Sequence, residues 1–139
     1  MEPEFRARLE AHFSPYDEIP GGDMGNLANN MFDSQVERVA DYQEEDWQGT
    51  GYTLYRFENL FFIIEYGFGS CEGCDQWMSS PEEYLIPLRS DILDDVVPFS
   101  DLSQAIDSTK YCHPEWRSIL EKTLERFQAE EKDSLETSS

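Results

Sequence analysis

Positive charge is what this sequence has least of. Only 10 of its 139 residues are lysine or arginine, against 30 aspartates and glutamates, for a formal charge of −20. A protein that neutralises phosphates cannot present such a surplus of carboxylates to them, so direct binding of DNA or RNA is not expected. Anionic membrane surfaces are disfavoured for the same reason. Lysine is scarcest, with Lys110, Lys122 and Lys132 alone. Apolar runs of membrane-spanning length are missing, so no transmembrane segment is expected. Met1-Glu2-Pro3-Glu4 lacks the basic region and apolar stretch of a secretory leader. Paired cysteines are missing as well: the chain has three, an odd number that suits a reducing compartment better than a disulfide scaffold. A soluble, cytoplasmic protein is the expectation.

What the chain does have is buriable surface. Nine phenylalanines, seven tyrosines and three tryptophans separate it from a disordered acidic tail. The length fits one domain, read as residues 1–132 with a polar tail over 133–139. Phe5, Leu9 and Phe13 recur every four residues behind Pro3, predicting a helix over 3–13. Two prolines and three glycines make 14–26 a loop. Phe32, Val36, Val39 and Tyr42 fall at helical intervals, predicting a second, acidic helix from Leu27 to about Trp47, stopped by Gly49-Thr50-Gly51. Residues 52–57 and 60–66 read as two antiparallel strands joined tightly at Glu58-Asn59. The second is apolar on both faces and belongs in the middle of a sheet. Tyr84–Leu88 and Ile92–Val97 are candidate further strands, with Pro87 and Pro98 favouring edge positions. A short helix over 100–107, capped by Ser100, precedes a longer one opening at Pro114 with Trp116, Ile119, Leu120, Leu124 and Phe127 as its stripe and Arg126–Glu130 as a favourable pair. The fold class is α+β: an antiparallel sheet of three to five strands centred on 60–66 and packed by N- and C-terminal helices on one face.

One local motif could carry chemistry. Residues 66–77 read Tyr-Gly-Phe-Gly-Ser-Cys-Glu-Gly-Cys-Asp-Gln-Trp, and Gly67, Gly69 and Gly73 imply positive φ or close backbone approach. Cys71 and Cys74 are spaced C-x-x-C, which permits a redox dithiol, half of a zinc site, or a structural turn. Zinc would need Cys112 and His113, neighbours that converge poorly on a tetrahedral centre, with Asp75 or His12 as substitutes. Redox work is opposed by Glu65, Glu72 and Asp75, which disfavour a thiolate. The structural turn is the expectation, with no metal and no cofactor. Phosphate binding and nucleophilic catalysis find little support: the loop contains no lysine, Ser70 lacks a G-x-S-x-G setting, and His12 and His113 lie near helix ends. Residues 66–75 resemble a Tyr-Gly-x-Gly-Ser-Cys-x-Gly-Cys-Asp stretch of small uncharacterised proteins, several from bacteriophages. The resemblance implies a recurring loop and no activity.

The second feature is the acidity itself, densest at Asp41, Glu44, Glu45 and Asp46 beside Trp47, with a further group at Asp91, Asp94, Asp95 and Asp101. Carboxylates arrayed on a rigid helix face would imitate a line of phosphates and dock on a basic partner surface, such as a nucleic-acid-binding protein. A solvated face or a high-salt cytoplasm accounts for the same composition. The functional expectation is a non-enzymatic acidic interaction protein, a nucleic-acid mimic or inhibitor being one form. The alternative is a small thiol-redox or zinc protein using Cys71 and Cys74.

Overall fold

A computed structural model describes residues 1–15, 18–19, 24–44, 49–68, 89–109 and 113–137. Along them run α1 (Pro3–Glu10), α2 (Met24–Asn29), β1 (Glu37–Gln43), β2 (Gly49–Phe57) and β3 (Leu60–Phe68). Then follow a helical stretch α3 at 89–94, α4 (Leu102–Ser108) and α5 (Pro114–Thr137). The protein is α+β, with one antiparallel sheet in the order β1-β2-β3 and helices packed against it.

The sheet is a meander, and its β2–β3 hairpin sets the register. Glu58 and Asn59 take φ of 52° and 65°, the two left-handed residues that a two-residue turn uses to match strand twist. From that turn β2 and β3 pair without a slip, from Phe57 with Leu60 to Gly49 with Phe68. Gly49-Thr50-Gly51 therefore begins a strand rather than ending a helix. Gly51 is required there by packing, since a Cβ at this position would lie 2.1 Å from Cζ of the Tyr66 ring opposite.

The helix expected over 27–47 is not formed. Only Met24–Asn29 is helical, beginning inside the stretch read as loop, and Glu37–Gln43 is strand β1. The three-residue interval that looked like a helical turn comes from a β-bulge: the register with β2 shifts between Arg38 and Ala40. The extra residue lets Val39, Ala40 and Tyr42 all pack on one side, while Val36 packs on the other.

Strand parity divides the core in two. Tyr55, Phe57, Phe62, Ile64 and Tyr66 face α1 and α2, where they meet Phe5, Leu9, Ala28 and Met31, together with Leu93 and Val96. Tyr52 and Leu54 face the opposite way, onto Leu102, Ala105 and Ile106 of α4 and Trp116 and Leu120 of α5. The N- and C-terminal helices thus cover opposite faces, rather than one. This explains why β3 is apolar on both sides although it is not central: among the described residues β2 lies in the middle and β3 at an edge. Trp116 is fully buried and stacks on Tyr52 at 5.3 Å and 7°, a contact worth about 0.5–1.5 kcal/mol beyond its area. On the first face, the Tyr55 hydroxyl donates to the Ala28 carbonyl and Thr53 Oγ1 bonds Asn29 Oδ1 at 2.7 Å, tying α2 to the sheet.

Four further expectations are corrected. Residues 92–94 are helical, and among the described residues 89–99 only Phe99 pairs with the sheet, through a single bridge to Phe61. Tyr84–Leu88 lies outside the described residues. The cap of α4 is Asp101, whose carboxylate accepts from Ser103 N–H at 2.8 Å, not Ser100. Helix α5 begins at Pro114 as expected but runs to Thr137, through most of the stretch read as a tail. Among the described side chains of α5 the ion pair is Arg117–Glu121 at 3.4 Å, while Arg126 lies over the Phe127 ring.

Candidate interaction surface

Of the carboxylates expected to form a helical acidic face, Asp41 and Glu44 lie at the end of a strand instead. Asp41 is exposed on β1, opposite Thr53, with Arg38 Nε 3.9 Å away. Glu44 has a structural role. Its carboxylate accepts from Thr50 N–H at 2.8 Å, and its own N–H donates to the Thr50 carbonyl at 3.2 Å, closing the β1–β2 connection. Glu45, Asp46 and Trp47 lie outside the described residues.

The second acidic group is also split. Asp94 accepts from Arg6 Nη1 at 2.5 Å, and Asp101 caps α4, where the Ser103 N–H and hydroxyl hold its carboxyl below the ordinary range. Asp91 and Asp95 stand exposed without a described partner. They border an open cavity of about 760 Å³ between the outer edge of β3 and the segment from 91 to 99, joined on the rim by exposed Glu65. Apolar walls come from Ile63, Ile92, Val97 and Phe99, and Val97 is 61% exposed. No basic side chain is among the described lining residues. In the sequence, Glu65 enters only as an acidic neighbour of the cysteines. The one charge in an otherwise apolar and aromatic strand, LFFIIEYGF, is the signal that could have singled it out.

The arginines are occupied. Arg6 bonds Glu10 at 2.8 Å as well as Asp94, which together raise its pKa, and Arg8 spans both oxygens of Glu58 at 2.8 and 3.0 Å. Arg38 and Arg117 pair with Asp41 and Glu121. Arg56 lies over Phe61 and Phe127 at 5.9 and 5.6 Å, and Arg126 over Phe127 at 5.3 Å. Arg89 is buried, donates to the Ser14 carbonyl and sits 4.5 Å over the Phe13 ring, and burial lowers its pKa. Every arginine of the chain is therefore engaged within the molecule.

Of the loop motif, only its beginning is described. Gly67 is an exposed β3 residue paired with Thr50, in extended backbone, and a Cβ there would meet nothing within 4 Å. The expected need for glycine does not hold at this position. Gly69, Cys71, Gly73, Cys74 and Asp75 lie outside the described residues, as does Cys112. His113 behaves as a helix-end histidine: its Nδ1 accepts from Glu115 N–H at 3.2 Å and its ring lies 5.2 Å from that of Tyr42. His12 Nδ1 lies 3.1 Å from Asp33 Oδ2. Burial works against the Asp33 carboxylate, but the Gln35 N–H and His12 together hold its pKa below the ordinary value. Among the described residues, no group of three or more His, Cys, Asp or Glu side chains is placed to hold a metal. No described helix is long and apolar enough to cross a membrane.

Comparison of the chain with protein-family models, with curated proteins and with solved structures finds no match.

Proposed function

We propose that this protein is an acidic interaction module that acts by association with a basic surface on another protein. One observation carries the reading: all seven arginines are spent internally, while Asp41, Glu65, Asp91 and Asp95 stand at the surface of a chain of charge −20. A field so uncompensated steers cationic partners and repels anionic ones. A nucleic-acid-binding protein fits as partner, because its cleft is basic for the reason that this surface is acidic. In such a cleft the protein would compete with nucleic acid, as an inhibitor or mimic does.

The test is capture of partners on the immobilised full chain at low and high salt. Exposed charges are screened over about 8 Å at physiological ionic strength, so captured proteins should be basic and should elute as salt rises. The combined variant Asp41→Lys, Asp91→Lys and Asp95→Lys should capture far less while keeping the wild-type circular dichroism. Partners that are neutral or acidic and persist at high salt would sink the reading.

A further inference from the structure

The two edges of the sheet are built differently. The β1 edge is interrupted by the bulge between Arg38 and Ala40 and carries Glu37, Arg38 and Asp41, the devices that discourage strand addition. The β3 edge has no bulge, and exposed Glu65 is its single charge. Its register with β2 is unbroken along all nine residues, so the strand is regular to its end.

Among the described residues its backbone is also available past Phe61. Phe61 exchanges both of its backbone bonds with Phe99, at 2.8 and 2.7 Å, so its N–H and C=O point away from β2. Antiparallel ladders alternate, which gives Ile63, Glu65 and Gly67 the same outward direction. Among the described residues nothing bonds the outward groups of these three, and the cavity beside them leaves room for a chain. The sequence of β3 is that of an interior strand, apolar on both faces, and among the described residues one flank of it has no partner strand past Phe61.

We propose that the Ile63–Gly67 edge is a docking site for an extended, basic segment of a partner protein, which adds to the sheet as a strand beyond β3. It rests on the reading above that partners are basic, and it places one contact. Backbone bonds to Ile63, Glu65 and Gly67 hold the segment, Glu65, Asp91 and Asp95 select its positive side chains, and Ile92 and Val97 offer apolar contact. Charge favours an outside occupant over the chain's own residues 81–88, PEEYLIPL, which carry two acids and no base.

The probe is a seven-residue peptide of alternating lysine and valine with both ends blocked, titrated into the full chain at low salt. An added strand uses every second N–H against its host. Of two N-methylated peptides, one modified on the valines and one on the lysines, one should lose affinity at least tenfold and the other should bind like the parent. Glu65→Gln removes charge alone and should weaken binding a few-fold. Glu65→Pro also deletes an outward N–H, leaves the β2 ladder intact, and should bind at least tenfold more weakly than Glu65→Gln. If Glu65→Pro does not fold, the N-methylated pair decides. Both methylated peptides binding like the parent, or both failing alike, overturns the edge site, as does a wild type that ignores the parent peptide. Salt-sensitive capture of basic proteins in that last case leaves the broader reading standing, and peptide binding without any such capture sinks the broader reading alone.

Discussion

At Gly51 a missing side chain makes room for another residue's ring. Tyr66 is buried and its ring crosses the strand over the glycine, toward Gln43 on β1 with an O–O distance of 3.4 Å. Gly51→Ala would drive a methyl into that ring, and overpacking of this kind costs about 1–3 kcal/mol. Thermal unfolding should show the loss. Because the penalty belongs to the pair, the double variant Gly51→Ala with Tyr66→Leu should be at least ~0.5 kcal/mol more stable than the sum of the single changes predicts. Additive losses would mean that the ring is not what excludes the methyl.

Among the elements, α4 offers the cleanest measurement. The Asp101 carboxylate caps it and is held below its ordinary pKa by the Ser103 N–H and hydroxyl. A carboxyl depressed in the folded state contributes stability that is complete above about pH 4 and is lost as pH falls through the folded value. Asp101→Ala should therefore lower the melting temperature by a few degrees at pH 7, with the gap to wild type closing in acid. A gap that is constant with pH would remove the charge from the cap. At this scale the sequence was legible where one local rule decided the outcome: Pro114 opening α5, Glu58-Asn59 turning the hairpin, the two strands on either side. It misled where tertiary pairing overrode spacing. Val36, Val39 and Tyr42 mimic a helix because a bulge adds a residue between them, and no local pattern reveals a bulge before its partner strand is known. Apolarity on both faces of β3 was read as central position, whereas it records two helical layers. Of the candidate site, Asp41 was legible as an exposed acid. Glu44 was not legible as a tie between strands, and although Asp91 and Asp95 stand out as acids and Glu65 as the lone charge of its strand, their meeting on one rim was not legible, because it exists only in the fold.

The molecule as a whole works against its own charge. With arginines already paired, stacked or buried, the remaining carboxylates repel one another across the surface, and screening relieves that repulsion. Raising potassium chloride from about 0.1 M to about 1 M shortens the screening length from about 10 Å to about 3 Å and should raise the melting temperature. A fall would show that the surface ion pairs outweigh the repulsion. The opposed placement of the two helical layers also bears on how the protein is made. Residues 37–68 complete the sheet with α1 and α2 already synthesised before them, yet the face carrying Tyr52, Leu54, Phe61 and Ile63 awaits Trp116 and Leu120. At about 5–20 residues per second those come roughly 2–10 s later. During that interval a growing chain carries one face already covered by α1 and α2, which Leu93 and Val96 have still to complete, and one bare, aromatic one, a window in which a chaperone that recognises exposed apolar strands would find this protein and after which it would not.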